Sequence, residues 1–166
     1  AYLGGDFDVA GIKWIASFPD NRDHGLPRAS AVLLLNDATT GFPFACLESS
    51  IISAARTAGS AVLAAQTIVG ERKAARIGVI GTGLIARQVW KFFHELGWEI
   101  GGWRLFDLDA AAAGRFGDRL TRGGAADVVV ADDAAAAFAD CDLVVLTTVA
   151  GEPHLHDPKL VAHAPV

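Results

Sequence analysis

The sequence predicts an α/β chain: a parallel sheet with helical crossovers, preceded by part of a small antiparallel sheet with a helix. Three observations predict it. From Arg76 onward, short apolar runs alternate with helical runs, the pattern of parallel strands joined by right-handed crossovers. The first of these runs, Arg76–Ile80, passes directly into Gly81-Thr82-Gly83-Leu84-Ile85-Ala86, a strand-to-helix turn. Before the polar break at Gly70-Glu71-Arg72-Lys73, three short runs are joined by turn-rich segments. The break divides the chain into residues 1–75 and 76–166.

The elements follow in order. Val9–Phe18 reads as a strand carrying Lys13 and Trp14, and 19–25 as a loop of turn formers. Ala29–Leu35 is a second strand, 36–41 a hairpin-like turn, and Phe42–Leu47 the returning strand. Ser49 or Ser50 caps a helix that runs to about Val69 and buries Ile51, Ile52, Ala55, Ala58 and Val62 at helical spacing. In the second part the strands are Arg76–Ile80, Trp103–Asp107, Ala126–Ala131 and Leu143–Thr148. The helices between them are Leu84–Leu96, Ala110–Leu120 and Asp133–Phe138, and Gly97 ends the first as a C-cap glycine. The alanine runs at 110–113 and 134–137 suit crossover helices. There are no internal repeats.

Composition narrows the class. With 52% hydrophobic and 20% charged residues, the chain is globular and not disordered. A net charge of −5 without a basic patch argues against nucleic acid as a partner. No apolar run is long enough to span a membrane, since Arg56 interrupts the best one, 51–69. No signal peptide is visible, which places the expectation in the cytoplasm. Cys46 and Cys141 read as two reduced thiols.

The glycine turn carries the chemistry. Gly81 permits the tight turn, Gly83 removes a side chain that would keep a pyrophosphate off the backbone, and Ala86 lets the helix pack closely on the strand. N–H groups at the helix start then face an anion. Asp107 closes the second strand, a little beyond the usual interval of about 20 residues; its carboxylate would accept from an adenosine ribose and repel a 2′-phosphate. That combination is a Rossmann-type site favouring NAD over NADP. Asp109 is a neighbouring candidate acid, and Arg104 the nearby cation. Thr147 and Thr148 end the fourth strand on the same edge; their hydroxyls could meet the nicotinamide half, or reflect β propensity alone.

Elsewhere the residues leave two readings each. Lys13, in an apolar strand, either meets an anion or protects a sheet edge. Arg56, in a helix of small residues, either forks onto a carboxylate or forms an internal ion pair. Arg28 either reaches a phosphate or carboxylate or is an exposed loop arginine. His154, His156 and Asp157 supply too few ligands for a metal site and read as a solvated loop. No metal is expected.

Five spaced motifs carry a resemblance: Gly11-Ile12-Lys13-Trp14-Ile15, Pro19-Asp20-Asn21, Gly25-Leu26-Pro27, Ala55-Arg56-Thr57-Ala58 and Gly81-Thr82-Gly83. Together they resemble the ornithine cyclodeaminase/mu-crystallin family over nearly the whole chain. Phe18-Pro19-Asp20-Asn21, Pro27-Arg28-Ala29-Ser30-Ala31 and Pro43-Phe44-Ala45-Cys46-Leu47-Glu48 resemble one branch in particular, the N-(2-amino-2-carboxyethyl)-L-glutamate dehydrogenases of 2,3-diaminopropionate biosynthesis, which serve siderophore and peptide-antibiotic pathways.

The resemblance implies roles. Residues 1–75 form part of a substrate-binding and dimerisation domain, and 76–166 an NAD-binding domain. Lys13 and Arg56 hold the carboxylate of an amino-acid-derived substrate, with Lys13 the catalytic candidate. NAD lies on Gly81, Thr82, Gly83, Leu84 and Ile85, with its ribose on Asp107; Thr147 and Thr148 line it near the nicotinamide. Arg28 falls where the family has a small polar residue that contacts the cofactor. Family members are roughly twice this length, more than one ordinary domain needs. The matching chain therefore reads as a partial member, lacking the family's N-terminal arginine and C-terminal acid. The implied activity is NAD-dependent oxidative cleavage to 2-oxoglutarate and L-2,3-diaminopropionate. A cyclodeaminase acting on ornithine or lysine, an imine reductase, and a non-catalytic dinucleotide-binding module are the alternatives. A homodimer is implied.

Overall fold

A computed structural model describes residues 1–149, 155 and 157–160. Two compact units are resolved, Ala1–Ala54 and Ala55–Val166.

The first unit is a four-stranded antiparallel sheet in sequential order: β1 (Tyr2–Leu3), β2 (Val9–Ser17), β3 (Ala29–Asp37) and β4 (Pro43–Glu48). A 3-10 helix, Pro19–His24, occupies what the sequence predicts as a loop. Asn21 fastens it, accepting from the Leu26 N–H at 2.9 Å and donating its side-chain amide to the Pro27 carbonyl at 3.2 Å. Lys13 lies opposite Leu33 in the β2–β3 register, on the face where Ala31 is buried. Ile12, Trp14, Val32, Leu34 and Phe44 are exposed, so the sheet keeps apolar side chains in solvent.

Helix α1 (Ser50–Val69) starts in the first unit, and its residues from Ala55 onward belong to the second. The predicted burial of Ile51 and Ile52 is wrong: they are 61% and 45% exposed. In that first turn the buried positions are Ser53 and Ala54, and the stripe that enters the second unit's core is Ala58, Val62, Ala65 and Val69. The helical period holds, and the face covered in the second unit's core begins later, at Ala58.

In the second unit β5 (Lys73–Ile80), β6 (Glu99–Phe106), β7 (Val128–Val130) and β8 (Leu143–Leu146) form a parallel sheet in the order β7-β6-β5-β8. Helices α2 (Leu84–Glu95), α3 (Ala110–Arg122) and α4 (Ala134–Phe138) supply the crossovers. Successive residues of β5 point to opposite faces. Ile77 and Val79 join a core with Val89 and Phe93 of α2 and Phe116 and Leu120 of α3. Ile80 packs instead on Ala137 and Phe138 of α4. Phe93 anchors the first core, its ring edge-on to Trp98 at 4.7 Å and to Trp103 at 6.3 Å. Burying a side chain of that size stabilises the fold by about 1.5–3 kcal/mol.

Strand ends differ from expectation: β5 begins at Lys73 and not Arg76, and β7 is confined to Val128–Val130. β6 begins at Glu99, not Trp103, because its first residues pair with Lys73 and Ala74 of β5 even though Gly101 and Gly102 lower local strand propensity. The packing requires the first: a Cβ at Gly101 would come within 2.7 Å of the Ala75 carbonyl oxygen, whereas at Gly102 it would meet Asp127 Oδ2, the end of a side chain, at 2.6 Å. β8 stops at Leu146, leaving Thr147 and Thr148 just beyond it. Helix α2 ends as expected: Gly97 has φ +70°, and the Gly97 and Trp98 N–H groups return to the carbonyls of His94 and Phe93.

Candidate functional site

Strand order places the site. After β5 the chain crosses to β6 and then β7 on one side, and β8 returns on the other. The order of connection therefore reverses between β5 and β8, and open α/β sheets take ligands beyond the carboxyl ends of strands at such a point. The glycine turn and Thr147 lie there. Gly81 has φ +87°, and a Cβ on it would sit 2.9 Å from the carbonyl carbon and oxygen of Thr147. The Thr147 N–H donates to the Ile80 carbonyl at 2.9 Å, and its hydroxyl donates to the Gly81 carbonyl. That threonine thus braces the turn.

Gly83 differs from Gly81. Its φ is −73°, and a Cβ there would meet no atom within 4 Å. It is the N-cap of α2 and offers no side-chain acceptor, whereas Asp109 and Asp133 accept from N–H groups at the starts of α3 and α4. The first-turn N–H groups of α2, at Leu84 and Ile85, therefore open beside a glycine with space over it. A bound pyrophosphate fits this donor set: amide donors, a helix start and room for close backbone approach. Ala86 is 1% exposed and packs in the core, as the motif's third position requires.

Asp107 follows β6 directly. Its Oδ2 accepts from the Thr82 N–H at 2.7 Å and the Thr82 hydroxyl at 2.9 Å, and its Oδ1 from the Asp109 N–H at 3.1 Å. A cleft of 310 Å³ opens alongside, lined by Phe106, Asp107, Leu108, Ala110 and residues 130–132. Leu108 is 95% exposed at its edge. A cleft with both apolar walls and carboxylates, beside a strand-end acid, suits an adenosine.

Asp109 caps α3 through the Ala111 N–H and pairs with Arg115 at 3.3 Å. The Arg104 guanidinium pairs with Asp127 at 3.0 Å. Both pairings depend on side-chain direction, which spacing does not specify. The Thr82–Asp107 pair was missed for the same reason.

The other candidates are distributed between the units. In the first, the Lys13 ammonium donates to the Ser53 hydroxyl at 2.7 Å and is half-buried. Arg28 donates to the Ser17 hydroxyl at 2.6 Å. In the second, Arg56 is exposed and makes no ion pair among the described residues, so the internal salt bridge is not formed. His154 and His156 lie outside the described residues. Among the described residues no group of three or more His, Cys, Asp or Glu could hold a metal, and no helix is long and apolar enough to cross a membrane.

The geometry has counterparts among known proteins. The family model for the ornithine cyclodeaminase/mu-crystallin family matches residues 1–162. The N-((2S)-2-amino-2-carboxyethyl)-L-glutamate dehydrogenase of Staphylococcus aureus (strain NCTC 8325 / PS 47) is 31% identical over 157 residues, 93% of this chain and 46% of that protein. The Thermococcus litoralis Δ1-pyrroline-2-carboxylate reductase, solved with NADH and L-proline, superposes with a TM-score of 0.73 at 26% identity, covering 82% of this chain and 42% of that one. An archaeal alanine dehydrogenase dimer with bound NAD superposes with a TM-score of 0.73 at 28% identity, covering 89% and 48%. The chain spans less than half the length of each of these three relatives. With the family's pattern matched from end to end of the described fold, the chain belongs to the ornithine cyclodeaminase/mu-crystallin family.

Proposed function

We propose that this protein is an NAD-dependent oxidoreductase that cleaves N-(2-amino-2-carboxyethyl)-L-glutamate to 2-oxoglutarate and L-2,3-diaminopropionate. One observation carries the cofactor half: α2 starts at a glycine with open space and no side-chain cap, beside an acid held at the end of the next strand. The S. aureus relative supports the substrate half.

NAD, when bound, accepts a hydride. The open amide groups at the start of α2, at Leu84 and Ile85, hold its pyrophosphate over the turn of Gly81, Thr82 and Gly83, and Asp107 accepts from its adenosine ribose. Thr147 braces the turn from the strand beside it, and Thr148 lies toward the nicotinamide. Lys13 and Arg56 bind the substrate carboxylate, and the Ser53 hydroxyl positions the Lys13 ammonium. Arg28, bonded to Ser17, belongs to the cofactor-facing set by its place in the family pattern. The glutamate Cα–H bond breaks as hydride leaves, the nitrogen loses its proton, and a C=N bond forms. Water adds to that imine, and the C–N bond breaks to release the keto acid and the diamine.

Residues 1–75 serve in this reading as the substrate-binding and dimerisation part, and 76–166 as the NAD-binding part. The exposed apolar sheet face around Ile12, Trp14 and Leu34 and the dimeric archaeal relative support a homodimer. Two free cysteines fit a cytoplasmic setting, and the reaction fits a siderophore or peptide-antibiotic pathway.

The test is incubation with the glutamate adduct and NAD, following NADH by fluorescence and both products by mass spectrometry. Stoichiometric NADH, 2-oxoglutarate and diaminopropionate are expected. The T. litoralis reductase supports a second reading, in which the same scaffold turns over a cyclic imine or an ornithine-like amine. Proline formed from ornithine without net NADH would select that one, and NADH binding without turnover on any amine would select a binding module.

A further inference from the structure

We infer that Thr82 is a positioning residue: its hydroxyl holds the Asp107 carboxylate in the orientation that accepts the adenosine ribose and turns away a 2′-phosphate. The inference rests on the cofactor reading above and adds a residue whose side chain acts on the acid and not on the cofactor. Thr82 is 2% exposed, one of three buried polar residues among those described. A hydroxyl buried in a tight turn is costly unless bonded, and this one donates to Asp107 Oδ2 at 2.9 Å. Its own backbone N–H donates to the same oxygen at 2.7 Å. Donor and acceptor lie 25 residues apart, on the turn after β5 and the loop after β6. The pair therefore ties the phosphate-binding turn to the ribose-binding acid.

The physical gain is preorganisation. An aspartate just past a strand end has two soft torsions, and a ribose diol needs its carboxylate in one place. Threonine suits the holding role because its branched Cβ restricts χ1, so the hydroxyl is itself held in one direction. An anion held in place also keeps its charge where a 2′-phosphate would sit. Without the hydroxyl, the carboxylate keeps the Thr82 and Asp109 backbone N–H groups but loses one donor, and it is freer to tilt and admit one.

The test compares Thr82→Val and Thr82→Ser with the unaltered protein in fluorescence titrations with NADH and NADPH, with a thermal melt of each. Thr82→Val should weaken NADH about tenfold, leave NADPH as it was or tighter, and so lower the NADH preference by at least the same factor. Thr82→Ser, which keeps the hydroxyl, should stay within about twofold. In an Asp107→Ala background, Thr82→Val should add less than about a twofold loss, because a positioning residue has nothing left to position. Should the valine variant fail to fold, Thr82→Ala gives the same readings. If Thr82→Val binds NADH as the unaltered protein does, with the same preference over NADPH, the role of Thr82 is refuted while the cofactor reading stands. If the unaltered protein binds no NADH, both fall.

Discussion

Gly83→Ala separates folding from cofactor binding at one atom. In the free protein the added Cβ meets nothing within 4 Å, and φ at −73° suits alanine. Two small terms oppose each other. Alanine is a poorer N-cap than glycine by about 0.5–1 kcal/mol, and it restricts the unfolded chain by about 0.4–1 kcal/mol. The net change in stability is within about 0.5 kcal/mol, a shift of about 2 °C or less in Tm. Binding responds differently. Amide donors meet phosphate oxygens at about 2.9 Å, whereas a methyl carbon keeps an oxygen at about 3.3 Å or beyond. The methyl pushes the pyrophosphate off the first-turn N–H groups and loses one or two hydrogen bonds to a charged group, about 2–4 kcal/mol, or 30-fold to several-hundred-fold in Kd. An NADH titration and a thermal melt on the same sample read both quantities. A folded Gly83→Ala protein that binds NADH as tightly as the original would refute the assignment of the pyrophosphate to this turn.

Gly81→Ala should fail for the opposite reason. Its φ of +87° and the approach of the Thr147 backbone cost about 2–4 kcal/mol in stability, seen as a lower urea midpoint; an unchanged midpoint would contradict the turn geometry. Phe93→Ala removes the ring that joins Trp98 and Trp103 in the core, and should destabilise by about 3–5 kcal/mol in the same assay. Burial raises the Cys141 thiol above its ordinary value of 9.0, with Arg104 and Arg76 pulling it down more weakly. A thiol that titrates higher when folded supports the fold fully below the unfolded value and loses that support as pH rises through the folded one. Urea midpoints between about pH 8 and 10 should therefore fall more steeply for the unaltered protein than for Cys141→Ala, and parallel slopes would exclude the effect. In the same folded protein, Cys46 should alkylate readily and Cys141 only on unfolding.

Local chemistry made much of the fold legible. Amphipathic runs read as α2 and α3, apolar runs as β5 and β8, and the positive φ at Gly81 and Gly97 followed from glycine at a turn and at a helix end. The misses share a cause. Ile51 and Ile52 sit at the right helical spacing, yet burial depends on what faces the helix. The first residues of β6 carry two glycines that look like a break, yet the strand pairs with β5 there and the close Ala75 carbonyl requires the first of them. At the candidate site, the turn, the helix start and the strand-end acid were readable because each is specified within a few residues. What the acid bonds to was not.

The sequence by itself determined the element order, the glycine turn, the acid that ends the second parallel strand and the family pattern, all encoded in spacing over short windows. Tertiary structure alone decided the strand order β7-β6-β5-β8, which sets the reversal point above Gly81. It also decided that Thr82 bonds Asp107 across 25 residues, that Arg104 turns to Asp127, and that Lys13 meets Ser53 across 40. Periodicity reports which face of an element is apolar. It carries no record of which distant element covers that face, because pairing and side-chain direction are settled only when the whole chain packs.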